Sequence, residues 1–141
     1  MNPRLNTPWT ALRFGIGLTA TLAGLDKFFN LLADWSTYVS PLAAQVLPVS
    51  TDTFMALVGV IEVAVGAAIR AGWTRVGAYV ASAWLLGVAA NLAAAGFLDI
   101  AVRDVVMSIA AFTLARLAEV RQEAPAYSFN SIVEPRRQVT A

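Results

Sequence analysis

Apolar residues run along the chain in four blocks, separated by short polar or proline-containing breaks, and the spacing within each block is helical. In the first, the apolar run Phe14 to Leu25 continues through Asp26, Lys27 and Asn30 towards Ala33, with Thr19, Ala23, Asp26 and Asn30 recurring at steps of four and three. This predicts a helix over 12–33, about 22 residues and so long enough to cross a bilayer. The segment 34–52 contains Pro41 and Pro48, no Lys or Arg, and Trp35 and Tyr38 near its start. Its apolar stretch is too brief to cross, so it is expected to lie at the membrane interface as a short, partly helical lid.

A second helix is predicted over 53–70, capped by Thr51 or Asp52 and ending at Arg70 and Gly72. Its apolar run is interrupted once, by Glu62, and helical steps place Gly59, Glu62 and Gly66 on one face that a neighbouring helix can approach closely. The connection from Arg70 to Arg75 is tight, so a third helix over 75–95 forms an antiparallel hairpin with the second. Along it Ala83, Gly87, Asn91 and Ala95 stand four apart, a stripe expected to serve close packing. The fourth helix is predicted over 99–119, with Asp99, Arg103 and Asp104 in its first turns. Residues 1–121 thus read as a single four-helix domain, followed by a polar cytoplasmic tail over 122–141 that carries Pro125 and Pro135.

Composition turns these helices into membrane helices. The 141 residues are 58% hydrophobic and 13% charged, with a mean hydropathy of +0.65, far from a soluble average. The predicted class is an all-α membrane protein, a four-transmembrane-helix bundle embedded in the lipid bilayer. A basic start followed by an apolar run also fits a signal peptide, but no A-x-A site closes the run and the helical pattern continues past it. With a net charge of +1 and dispersed basic residues, the chain lacks the basic patch that nucleic-acid binding needs. Cysteine and histidine are both absent, which removes disulfides, thiol redox chemistry, structural zinc and the usual haem ligands. No metal site is expected.

Charge also orients the bundle. Arg4, Arg13, Arg70, Arg75, Arg116, Arg121, Arg136 and Arg137 mark the N terminus, the middle loop and the C terminus, while the other two loops lack basic residues. By the positive-inside rule both termini are cytoplasmic, in a bacterial cytoplasmic (inner) membrane protein of multi-pass topology.

In that topology the polar residues inside the helices all lie between the midplane and the extracytoplasmic surface, with Glu62 deepest. A buried polar cluster of Asp26, Lys27, Glu62, Asn91, Arg103 and Asp104 follows, in which Lys27 and Arg103 answer the carboxylates and one acid is left in excess. Glu62 is the natural candidate to carry a proton. Such a cluster either fixes helix register or lines a polar pocket that opens outward, and the residues leave both open. Lys27 can face the bundle or snorkel to the interface. Trp9, Trp35, Tyr38 and Trp73 fall at helix boundaries and read as an interfacial belt.

Three segments resemble the DoxX-like family of small four-helix membrane proteins over about residues 10 to 120: Ala23-Gly-Leu-Asp-Lys-Phe-Phe29, Gly59-Val-Ile-Glu-Val-Ala-Val-Gly66 and Val102-Arg-Asp-Val105. The resemblance implies a membrane subunit of a quinone-linked oxidoreductase system, or a non-catalytic scaffold or assembly subunit of a membrane complex. In the first case quinone is the non-covalent cofactor, Glu62 and Asp104 are its proton acceptors or hydrogen-bond partners, and Arg103 or Lys27 tunes their charge. Electrons then come from a partner, because the chain has no His or Cys to hold a redox centre. Expected partners are other membrane or periplasmic subunits, or a second copy of the chain.

Overall fold

The computed structural model describes residues 2–123. These are all-helical, with four long helices, α1 Asn6–Asp26, α3 Thr51–Arg70, α4 Thr74–Ala94 and α5 Leu98–Glu123, and a short α2, Pro41–Val46. The expected tail lies outside the described residues apart from 122 and 123, which α5 takes in.

The first helix differs most from expectation, starting six residues before position 12 and ending seven before position 33. At its start Pro8 falls in the first turn, where its missing N–H costs nothing because that group has no intrahelical acceptor. At its end the Asp26 carboxylate accepts from the backbone N–H of Leu31 (2.9 Å) and of Leu32 (3.0 Å), bonds that turn the chain out of the helix. Asn30 takes the left-handed conformation (φ 51°) that lets the chain reverse there. The connection 27–50 then holds a 3-10 turn, Trp35–Tyr38, and α2, whose Ser40 hydroxyl accepts from Ala43 N.

Ser50, one residue before Thr51 and two before Asp52, the expected caps, starts α3 by accepting from Thr53 N. The remaining bounds shift by a residue or so, except that α5 runs on to Glu123. Both tight connections turn on a left-handed glycine, Gly72 (φ 110°) and Gly96 (φ 88°).

The long helices run up, down, up, down, with α1 packed on α3, α4 on α5, and lesser α3–α4 and α1–α5 contacts closing the ring. The α1–α3 seam is built from glycines. A Cβ on Gly24 would lie 2.6 Å from the Gly59 carbonyl oxygen, and one on Gly59 2.6 Å from that of Gly24. Gly66 lies on the same face, against Thr21 and the Gly17 carbonyl, so the small-residue face expected around Glu62 is the packed one. The stripe through Thr19 is not: Thr19 is exposed, and α1 presents Gly17, Thr21 and Gly24 instead. Likewise Ala83 and Gly87 on α4 face outward, with nothing near a Cβ placed on Gly87. The packing face of α4 runs through Ala78, Ala81 and Ser82, offset from that stripe, and meets Ala111, Leu114 and Ala115 of α5. Ser82 and Ser108 hydrogen-bond across this interface (Oγ to Oγ 3.0 Å, Ser108 Oγ to Ser82 O 2.8 Å).

Among the described residues, α3 and α4 are the two helices long and apolar enough to cross a membrane. Only 22% and 28% of their apolar windows are buried inside the protein, so most of that surface faces outward. Charged residues within α1 and α5, such as Arg13, Asp26, Arg103 and Asp104, interrupt the apolar runs of those helices.

Candidate functional site

The end of α1 meets the middle of α3 at an ion pair. Lys27 Nζ stands 2.6 Å from Glu62 Oε2, and the two side chains are only 4% and 14% exposed. Lys27 is the first residue after α1, and Gly59, one turn before Glu62, makes room for it: a Cβ there would meet Lys27 Cβ at 3.2 Å and Phe28 at 3.1 Å. Glycine at 59 therefore sets how deep Lys27 sits. The ammonium also lies 3.9 Å from the centroid of the Trp35 ring, which closes over it.

Trp35 is held in place by Asp26, whose Oδ2 accepts from Trp35 Nε1 at 2.8 Å. Asp26 is buried, yet its polar partners are this indole and the two backbone N–H groups of the reversal, not Lys27. Neighbouring residues 26 and 27 thus divide the work: one ends the helix and orients the cover, the other makes the ion pair. The turn that carries Trp35 is pinned at its start, where the exposed Asp34 carboxylate accepts from the Ser36 hydroxyl at 2.6 Å. That hydroxyl holds the Asp34 carboxyl below the ordinary aspartate range, against a smaller opposing effect of partial desolvation.

Asn91 belongs to the lid as well. Its Nδ2 donates to Tyr38 O (2.8 Å) and its Oδ1 accepts from Ser40 N (3.0 Å), so one amide side chain on α4 satisfies two backbone groups of the connection. The Tyr38 ring packs edge-on against Phe97, with centroids 5.0 Å apart. Asp104 is half-buried and feels the charges of Arg103 and Lys27. Arg103 is exposed. Of the six residues expected in one cluster, Lys27 and Glu62 form a bonded pair, Asp104 stands in its field, Asp26 and Asn91 anchor the lid, and Arg103 faces outward.

Trp35 is the participant the sequence reading missed, having been assigned to the interfacial belt. Only its place near the start of the lid hinted at it, and that is shared with Tyr38. A second polar knot at the opposite end of the bundle was missed too. There Glu119, 13% exposed, accepts from Tyr79 OH (2.8 Å), lies 3.3 Å from Arg75 Nε and pairs with Arg116. Close by, Arg13 donates to the last carbonyls of α3, those of Ile69 and Arg70, and Trp9 lies between the guanidinium groups of Arg13 and Arg121.

In the Lys27–Glu62 pair each group already has its partner, and the Trp35 indole covers the ammonium. Among the described residues no set of three carboxylates converges to hold a metal ion. Two open concavities among the described residues lie towards the other end, one on α4 and one between α3 and α4, with volumes of about 530 and 260 Å³. No family model, curated protein or solved structure matches the chain.

Proposed function

We propose that the chain is a four-helix integral protein of the bacterial cytoplasmic membrane, with both termini cytoplasmic, and that it serves as a non-catalytic scaffold or assembly subunit of a membrane complex. Membrane residence is supported by the outward faces. Phe14 and Leu22 on α1, Leu57 and Val60 on α3, Val80 and Leu86 on α4, and Val106, Ile109 and Phe112 on α5 are all exposed, a belt of apolar surface that a soluble domain of this size would bury. The lengths of α1 and α5, 21 and 26 residues, suit a crossing even though their charges lower their hydropathy. Charge separates the two ends. Asp26, Lys27, Asp34, Asp52, Asp99, Arg103 and Asp104 lie in the half that holds the lid, whereas Arg4, Arg13, Arg70, Arg75, Arg116 and Arg121, with Glu119 among them, lie in the other, so most of the arginines gather away from the lid.

The observation that carries the scaffold role is the closure of the ion pair. Glu62 has its cation, Trp35 covers that cation, and the two concavities described above lie elsewhere. A charged pair buried in this way holds α1 to α3 at one register.

A second reading, a subunit of a quinone-linked oxidoreductase system, is favoured by Asp104. Half-buried and within electrostatic range of Lys27, it adds a second carboxylate near the Lys27–Glu62 pair, a group type able to exchange protons with a reduced quinone. The DoxX-like resemblance, which stands on the three segments that carry it, fits either reading. Purification in mild detergent separates the readings. The scaffold role predicts a co-purifying protein without quinone, and near-stoichiometric quinone in the extract would overturn it.

A further inference from the structure

The two concavities on α3 and α4 are one feature. Both are lined by Trp73, Val76 and Val80; the first adds Arg75 and Tyr79, and the second continues between the helices to Ile61 and Val65. The helices touch near their turn, where a Cβ on Gly77 would stand 2.8 Å from Ile69 Cγ1, and beyond it the small residues Ala64 and Ala68 leave a crevice. The result is a groove with an aromatic and cationic mouth and an apolar floor. Trp73 is 75% exposed at that mouth, and the Arg75 side chain is 52% exposed although its Nε faces Glu119. Arg75 and Arg116 both meet the carboxylate of Glu119.

The geometry points to this groove as a binding site for an anionic phospholipid, its phosphate at Arg75 beside Trp73 and one acyl chain along Val76, Val80, Ile61 and Val65. Charge complementarity selects the headgroup: the mouth lies at the arginine-rich end of the bundle, and an anionic lipid is the ligand that offers a phosphate and an alkyl chain together at that depth. The apolar floor requires the chain, since a free phosphate would leave it empty. The inference rests on the membrane placement of α3 and α4 proposed above.

The test is quenching of Trp73 by lipids brominated on the acyl chain, in phosphatidylcholine nanodiscs holding the full chain, with the Trp73 signal taken as the difference from Trp73→Phe. Brominated phosphatidylglycerol is expected to reach half-quenching at about fivefold lower mole fraction than brominated phosphatidylcholine, the size of effect one arginine has near an anionic surface. Arg75→Gln should abolish the preference and Arg75→Lys should keep it, which separates loss of charge from loosening of α4 on α5. Ala64→Phe, which fills the crevice, should weaken quenching by both lipids. Equal quenching by the two lipids, or a preference that survives Arg75→Gln, overturns the site while leaving the membrane placement intact. Absence of Trp73 quenching by either lipid overturns both. An Ala64→Phe variant that changes the oligomeric mass in light scattering and leaves lipid quenching unchanged assigns the groove to a second copy of the chain, and also overturns the proposal.

Discussion

Glu62 and Lys27 are worth more as a pair than either is alone. Removing one charge strands the other in a largely desolvated place, so Glu62→Gln is expected to cost about 3–5 kcal/mol, whereas exchanging both for apolar residues of similar volume should recover most of that. Chemical unfolding of Glu62→Gln, Lys27→Met and the Lys27→Met/Glu62→Leu double variant in one detergent checks this. A double variant whose loss equals the sum of the two single losses would show that the pair does not act as a unit. Asp34 gives a pH dependence of defined sign. Its pKa is depressed in the folded chain by the Ser36 hydroxyl, so its contribution is present above the unfolded pKa and lost as pH falls through the folded one. Acidification below the ordinary aspartate range should therefore loosen the Trp35 turn. Trp35 fluorescence, read in a chain whose other tryptophans are phenylalanine, should change there, and the Asp34→Asn variant should lack that step.

Among the elements, the glycine seam between α1 and α3 and the exposed glycine of α4 predict opposite responses to the same change. Gly59→Ala forces a methyl group onto the Gly24 carbonyl, and overpacking of this kind costs about 1–3 kcal/mol. Gly87→Ala meets nothing and removes a flexible residue from a helix interior, so it should stabilise by about 0.5–1 kcal/mol. Thermal unfolding of the two variants in one detergent orders them. A destabilised Gly87→Ala would mean that this face is covered by another chain. The lid obeys a different logic. It is attached through Asp26, Asn91 and Trp35, polar contacts at a few points, while Phe29, Leu31, Leu32, Leu42 and Val46 remain exposed along it. In a bilayer those residues rest in the lipid interface.

For the whole molecule, the separation of charge between the two ends predicts one orientation. Val49→Cys, before α3, should react with a membrane-impermeant maleimide added outside intact spheroplasts, and Ala71→Cys, after it, only once they are lysed. Labelling of both from outside would remove the crossing of α3, and the reverse pattern would invert the protein. The lid and the groove on α3 and α4 lie towards opposite ends of the bundle, so a change at Arg75 should leave the stability contributed by Lys27 and Glu62 untouched.

Four long helices, the sharp turn at Gly72, and the packed face through Gly59, Glu62 and Gly66 were legible in the sequence, because they follow from local rules. Apolar runs at helical spacing, glycine where φ must be positive, and small residues where backbones touch are properties of neighbours in the chain. Which stripe on α4 packs could not be read that way. The stripe Ala83, Gly87 and the face Ala78, Ala81 are equally small, and only the position of α5 selects between them. The end of α1 was hidden for a similar reason: Asp26 fits a continuing helix until its carboxylate takes the N–H groups of Leu31 and Leu32 and the indole of Trp35, a choice made by the folded lid. Sequence alone determined that Lys27 and Glu62 are charges in apolar helices that need partners. The tertiary structure decided that they find each other, because the partner of a desolvated charge is set by which helix crosses at that depth, and the Gly24–Gly59 contact is what brings α1 that close.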